Sequence, residues 1–256
     1  NNGAGKHYML FRTFAPNSDS MQLYFIDQVT EPVPCPVTLG ADESFHCIKV
    51  LRMRSGDKLN LTDGKGNLYL GQLLGENIKS CPVMLLNVTP EYGKRPFSVH
   101  MAVAPTKNIA RFDWFLEKAT EIGVDEITPL LCEHSERVSV RVDRLQKIIL
   151  SAAKQSVKTY LPVLHEPAEF EDFIRLNHSP SRFVAYVEEH QSKHLKTAYK
   201  SGNCTILIGP EGDFSKSEME SAIHQKFEPV SLGPSRMRTE TAAIVACHII
   251  NIANEL

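Results

Sequence analysis

"LIGPEGDFSKSE", residues 207–218, decides how the second half of this chain folds. Upstream, Thr205, Ile206, Leu207 and Ile208 make a short continuous apolar run, the pattern of a strand covered on both faces. Downstream, Ser215 and Glu218 have capping-box spacing, and Met219, Ala222, Ile223 and Phe227 follow on one helical face. Residues 209–214 are therefore a strand-to-helix loop. Such loops lie at the carboxyl edge of an open α/β sheet, where ligands bind. The loop has neither the dinucleotide fingerprint nor a phosphate-loop lysine, and Glu211 and Asp213 would repel a pyrophosphate. Its ligand is expected not to be a polyphosphate.

A second unit, "VSLGPSRMRTETAA" (230–243), repeats this order: an apolar strand, a Gly233-Pro234 break, a polar loop and a helix start near Thr239. If the two strands are neighbours, the two Gly-Pro loops line one cleft. From residue 97 onward, apolar strand patterns ("FSVHMAVAP", "EITPLLC", "RFVAYV", "CTILIG", "EPVSLG") alternate with helical ones (108–122, 143–158, 167–176, 215–227 and the C-terminal helix). That alternation predicts a mostly parallel sheet with helices on its faces. The last helix, "AAIVACHIINIA", is apolar nearly all round, so it is expected to be enclosed, by the chain or by another subunit.

The first third is β-rich. "DKLNLTDGKGNLYLGQLL" (57–74) reads as a hairpin about Asp63-Gly64, with Leu59, Leu61, Leu68 and Leu70 facing inward, and "PVMLLNV" (82–88) adds a strand. A helix from Ser44 to Arg54 would bury Phe45, Ile48 and Leu51. A small barrel over residues 21–90 fits, with "TPEYGKRP" (89–96) as the break before an α/β domain over 91–256. Residues 1–20 read as an N-terminal extension outside the fold.

The 256 residues carry a net charge of −2, with 42% hydrophobic and 23% charged residues, a globular composition that excludes a basic nucleic-acid coat. Six cysteines form no C-x-x-C pair and ten histidines fall in no ligand spacing, so no metal and no disulfide framework is expected. With no apolar run of about 20 residues and no signal-peptide order, a soluble cytoplasmic protein is expected. Charge is unevenly spread. On a helix from Asp143, the residues Arg144, Lys147, Ser151, Lys154 and Lys158 share one face with no acid among them, and Lys49, Arg52 and Arg54 form a second basic group. A solvated face is the ordinary explanation for such a stripe. Phosphate binding is the functional one.

"IGPEG" followed by "LG" and "RTETA" resembles the ribosomal RNA methyltransferases that methylate N3 of a uridine in 16S RNA, members of the SPOUT superfamily. "HCIKVLRMRSGDKLNLTDGKGN" is similar to that family's PUA-like barrel. "APTKNIARFDWFLEKATEIGVDEITPL" and "KIILSAAKQSVKTYLP" are similar to its catalytic domain. Asp213, Lys158 and Ser235-Arg236 depart from the usual pattern. The resemblance implies a trefoil-knotted C-terminal domain, a homodimer, and S-adenosylmethionine held by Ile208, Gly209, Pro210, Glu211, Gly212, Leu232, Gly233, Met237, Arg238, Thr239 and Ala242. It further implies 16S rRNA, free or in the small ribosomal subunit, as substrate, with Arg52, Arg54, Lys107, Arg111, Lys154 and Lys158 as RNA contacts. Uridine N3 is protonated at neutral pH, so transfer needs a proton acceptor or stabilisation of the uridine anion. Arg238 is the candidate stabiliser, and Glu211 and Glu240 are the candidate bases. Two alternatives stay open: another RNA target such as the 2′-O-ribose of tRNA, or a non-catalytic RNA-binding assembly factor.

Overall fold

The computed structural model describes residues 22–27, 29–177, 179–186 and 192–255. The 1–20 extension lies outside them. The N-terminal unit is a five-stranded sheet in the order β1-β3-β4-β5-β2, formed by β1 (Leu23–Phe25), β2 (Cys35–Thr38), β3 (Lys58–Thr62), β4 (Leu68–Leu73) and β5 (Pro82–Thr89). Among the described residues its edges β1 and β2 do not pair, so the barrel expected from the sequence is an open sheet. Helix α1 (Ala41–Phe45) continues into a π-turn at His46–Val50.

Two sequence expectations fail here for physical reasons. The π-turn breaks the 3.6-residue period, so Ser44 and Cys47 face the core while Phe45 is 53% exposed and Leu51 lies at the surface. Ser44 is fixed there because its hydroxyl donates to Leu39 O and accepts from Cys81 N. In β4 the core side is Tyr69, Gly71 and Leu73 rather than Leu68 and Leu70, since the register sets Leu61 opposite Tyr69 and Leu59 opposite Gly71. A Cβ at Gly71 would stand 2.6 Å from Leu61 Cδ1, so the sheet is closed over the glycine.

The larger unit is an eight-stranded sheet built from β6 (Val99–Val103), β7 (Glu126–Leu131), β8 (Val163–Leu164), β9 (Ala168–Glu169), β10 (Ser181–Ala185), β11 (Lys193–His194), β12 (Cys204–Ile208) and β13 (Glu228–Ser231). The order is β11-β13-β10-β12-β6-β7-β8, with β9 also on β7, and all pairs are parallel. Its helices are α2 (Ile109–Ile122), α3 (Val142–Gln155), α4 (Phe170–Leu176), α5 (Leu195–Ala198), α6 (Lys216–His224) and α7 (Thr239–Glu255). Every residue of β12 is buried, as its β-branched run requires. The sheet separates two apolar layers, one holding Met101, Phe115, Ile127, Ile206 and Ile250, the other Leu130, Phe170, Leu207, Phe214 and Phe227. Among the described residues no helix is long and apolar enough to cross a membrane.

One further expectation, for α6, is revised. In α6, Met219 and Ala222 are buried but Ile223 is 53% exposed. In α7, Ala243, Ala246, Cys247 and Ile250 pack inward, whereas Val245 and Ile249 are half-buried and Ile252 is 38% exposed. A single chain therefore covers one side of the last helix and leaves an apolar strip on the other.

The two units are joined closely. The β3–β4 turn docks on residues 159–161, where Gly66 N donates to Thr159 O (2.9 Å) and Leu161 N donates to Gly64 O (2.9 Å). Gly66 has φ +92°, and a Cβ there would fall 2.1 Å from Tyr160 Cζ, so both its backbone and its lack of a side chain are required. Behind this junction Arg95 donates to Gly123 O (2.7 Å) and Asn251 Oδ1 (2.6 Å), and pairs with Asp125.

Candidate active site at the carboxyl edge of the sheet

Because the strands are parallel, their exit loops share one edge. Loop 209–215 follows β12, loop 232–238 follows β13, loop 104–108 follows β6 and loop 132–137 follows β7. The strands β12 and β13 are not neighbours, contrary to expectation, since β10 lies between them. The two Gly-Pro loops meet nonetheless: Thr239 Oγ1, at the start of α7, donates to Gly209 O at 3.0 Å. Arg236 also lies near enough to Asp213 to favour its ionised form. Burial is the larger influence and raises the Asp213 pKa, while a hydrogen bond from Phe214 N, Arg236 and His134 oppose it.

Local chemistry explains the first loop. Ser215 and Glu218 form the expected capping box, and Glu218 Oε1 also accepts from Glu133 N at 2.8 Å, tying α6 to the loop after β7. Asp213 adopts φ +63°, a conformation that Asp tolerates, and its N–H closes a turn on Pro210 O (3.0 Å). Gly209 faces the ring of Phe214, 3.1 Å from where a Cβ would be, and Gly212 faces His134 Cβ at the same distance. Gly233 differs: its φ is +130° and a Cβ there would meet nothing within 4 Å, so open space adjoins its backbone.

Glu211 is exposed, and its Oε1 accepts from Lys107 N at 3.1 Å, so it braces the loop after β6. Glu240 is only 7% exposed; its Oε1 lies 3.8 Å from Arg111 Nε, and its Oε2 is buried with no hydrogen-bond partner. Arg238 is exposed and, among the described residues, makes no ion pair. Of the remaining predicted contacts, Ile208, Pro210 and Thr239 are buried, and Leu232, Met237 and Ala242 are partly so. Lys107 pairs with Glu136 at 2.7 Å.

Sequence reasoning missed His134 and Arg137. His134 Nδ1 lies 3.2 and 3.0 Å from Gly212 O and Asp213 O, and Arg137 donates to Thr106 O and Lys107 O. The signal was "CEHSER" (132–137), a polar cluster directly after a buried strand.

The basic stripe of α3 is rearranged by the fold. Arg144 is engaged by Asp113 (2.8 Å) and Lys154 by Glu43 of the N-terminal unit. Lys158 is half-buried beside Arg95, and burial first and that neighbour second lower its pKa. It lines a cleft of about 670 Å³ with Arg95, Asp125, Thr159 and Tyr160 at the unit junction, away from the loop edge. The acid-free run of the sequence thus meets acids from α2 and α1. Arg54 pairs with Glu76 at 2.8 Å, while Lys49, Arg52 and Lys147 are exposed and, among the described residues, without ion pairs.

The chain matches an RNA methyltransferase domain over residues 93–251 and an RNA methyltransferase PUA domain over 39–81. It is 30% identical over 226 residues to the ribosomal RNA small subunit methyltransferase E of Synechocystis, covering 86% of this chain and 74% of that one. Against the Bacillus subtilis protein of the same name the identity is 25% over 253 residues, covering 92% and 98%. The solved structure of a probable rRNA-methyltransferase from Porphyromonas gingivalis superposes with TM-score 0.85 at 39% identity, over 91% of this chain and 98% of that one. A putative methyltransferase from Legionella pneumophila, solved with SAM bound, gives TM-score 0.81 at 27% identity over 92% and 98%. A parallel α/β domain with convergent edge loops, joined to a PUA domain, is the architecture of an RNA methyltransferase. The chain belongs to the ribosomal RNA small subunit methyltransferase E family.

Proposed function

We propose that the protein transfers a methyl group from S-adenosylmethionine to N3 of a uridine in 16S rRNA. The observation that carries this reading is the Thr239–Gly209 hydrogen bond, which closes the two Gly-Pro loops on one another and sets Arg238 and Glu240 beside them. The chemistry of these loops suits a non-phosphorylated nucleoside. Residues 209–214 hold no Lys or Arg, Leu232, Met237 and Ala242 supply apolar surface, and open space lies beside the backbone of Gly233. The orphaned Glu240 Oε2 leaves one buried acceptor for a donor from outside the chain. That a relative of 27% identity holds SAM supports the same cofactor here.

When bound, the sulfonium supplies an electrophilic methyl without metal assistance. The chain then has to orient the uridine and handle the N3 proton. Glu240, held near Arg111, takes the N3 proton onto its carboxylate as the N3–methyl bond forms, while Arg238 and the amino end of α7 stabilise the negative charge that develops on the base. Glu211 takes the bracing role its contact with Lys107 describes. The uridine has to be unpaired or flipped out to reach this edge.

Lys49, Arg52, Lys147, Lys107 and Arg111 are the cations we assign to the RNA phosphates, with Arg54 contributing at the rim. Lys154 and Lys158 act chiefly at the unit junction. The half-exposed strip of α7 supports a homodimer in which a second copy covers Val245, Ile249 and Ile252. A knotted passage of α7 beneath loop 209–215, tied by Thr239, is part of the same proposal. Incubating the protein with methyl-labelled SAM and small-subunit rRNA, followed by nuclease digestion and mass mapping, is expected to give 3-methyluridine at one position. A 2′-O-methylated nucleoside would move the proposal to the ribose, and no incorporation would leave an assembly factor.

A further inference from the structure

His100, Glu126 and His165 are distant in sequence, and strand register alone brings them together. His100 on β6 is the direct partner of Glu126 on β7, and Glu126 is the partner of Val163 on β8. Side chains alternate along a strand, so His165 stands on the same face as Val163 and hence beside Glu126. Ligand atoms of the three residues lie within 4.8 Å of one another. His165 Nε2 is 2.8 Å from Glu126 Oε2, and His100 Nε2 is 2.8 Å from Thr128 Oγ1. The His100 ring is held between His165 and Phe173, each with centroids 5.3 Å away. Glu126 and His165 keep about 40% of their side-chain surface in solvent, so a position stays open for water.

We propose that His100, Glu126 and His165 form a binding site for a divalent late first-row transition ion, with zinc the best-matched occupant. Two imidazoles and one carboxylate are the donor set such ions prefer, and an open fourth position completes a tetrahedron. Bonds of about 2.0–2.1 Å require ligand atoms roughly 3.3 Å apart, so the donors close in from a spacing of up to 4.8 Å when the ion binds. The ion takes the place of the hydrogen that His165 and Glu126 share. The Thr128 hydroxyl engages Nε2 of His100 and leaves Nδ1 for the ion, as an outer-shell partner does at known metal sites.

This site is separate from the methyl-transfer edge. From His100 to Ala104, where the exit loop of β6 begins, is four residues, about 13 Å along the strand. Its effect is mechanical. The ion pins the two-residue edge strand β8, which directly follows the 159–161 segment that holds the N-terminal hairpin turn.

The test uses chelator-treated full-length protein titrated with Co²⁺ by visible absorption and with Zn²⁺ by calorimetry. Glu126→Gln and His165→Gln serve as variants, both at half-exposed positions where the fold is retained, which circular dichroism checks. Expected are one ion per chain, affinity weakened by about tenfold or more in either variant, and a zinc-dependent rise in melting temperature in the parent only. Absence of saturable binding by the parent reduces the cluster to hydrogen bonds and overturns the site. Equal binding by parent and variants places the ion elsewhere and overturns it as well.

Discussion

Replacing Arg238 with alanine is expected to lower the turnover of methyl transfer by about 10²–10³-fold, the range typical of losing one donor that stabilises a developing anion. The affinity for S-adenosylmethionine is expected to change by less than about threefold, because a group acting on charge that exists only in the transition state adds little to ground-state binding. The motivating geometry is simple. Arg238 immediately precedes α7, is exposed, and makes no ion pair among the described residues, so its guanidinium is free for a substrate. Two residues on, Glu240 is buried with an unpaired oxygen. A cation and an acceptor so placed suit a base that must give up a proton before it can attack. Arg238→Lys keeps the charge and restores part of the rate. Single-turnover kinetics beside cofactor titration separate the two parameters, and an alanine variant with native turnover would refute the role.

Arg95→Ala has the largest expected effect on stability. Its guanidinium bonds Gly123 O, Asn251 Oδ1 and Asp125 and lies 4.6 Å over the ring of Phe97, so one side chain links the inter-unit segment, the α2–β7 turn and α7. Asp125 additionally accepts from Val99 N at 2.7 Å, at the start of β6. The pair is about three-quarters shielded from solvent, short of full burial, so the loss should fall below the 3–5 kcal/mol of a fully buried pair, at about 2–3 kcal/mol. For a chain of this size that is roughly 5–10 °C in melting temperature. Lysine restores little, since a single ammonium cannot meet three acceptors lying in different directions. Urea unfolding measures the change, and a variant with the native midpoint would show that Arg95 is dispensable.

Much of the α/β half could be read from the sequence, since its signals are local. The buried run of β12 and the Ser215–Glu218 capping box each depend on a few adjacent residues. What failed depended on register or on partners far along the chain. A π-turn displaced the apolar face of α1, cross-strand register chose Tyr69 over Leu68 and Leu70, and strand order put β10 between the two loop-bearing strands. In the same way the α3 stripe looked free because its acids, Glu43 and Asp113, come from other elements. At the site the glycines, Glu211 and Glu240 stood out, but His134 and Arg137 did not, for their contacts are with backbone carbonyls that only the fold supplies. The His100–Glu126–His165 cluster was hidden likewise, because parallel pairing joins residues with no characteristic spacing.

A calorimetric titration of the intact chain with S-adenosylmethionine, repeated on Gly233→Val, probes the union of the two Gly-Pro loops most directly. The predicted result is one saturable site per chain in the parent and at least about tenfold weaker binding in the variant, whose side chain enters the open space beside residue 233 and strains a backbone at φ +130°. No heat of binding at millimolar cofactor, or equal affinity in the two proteins, would contradict a pocket between these loops.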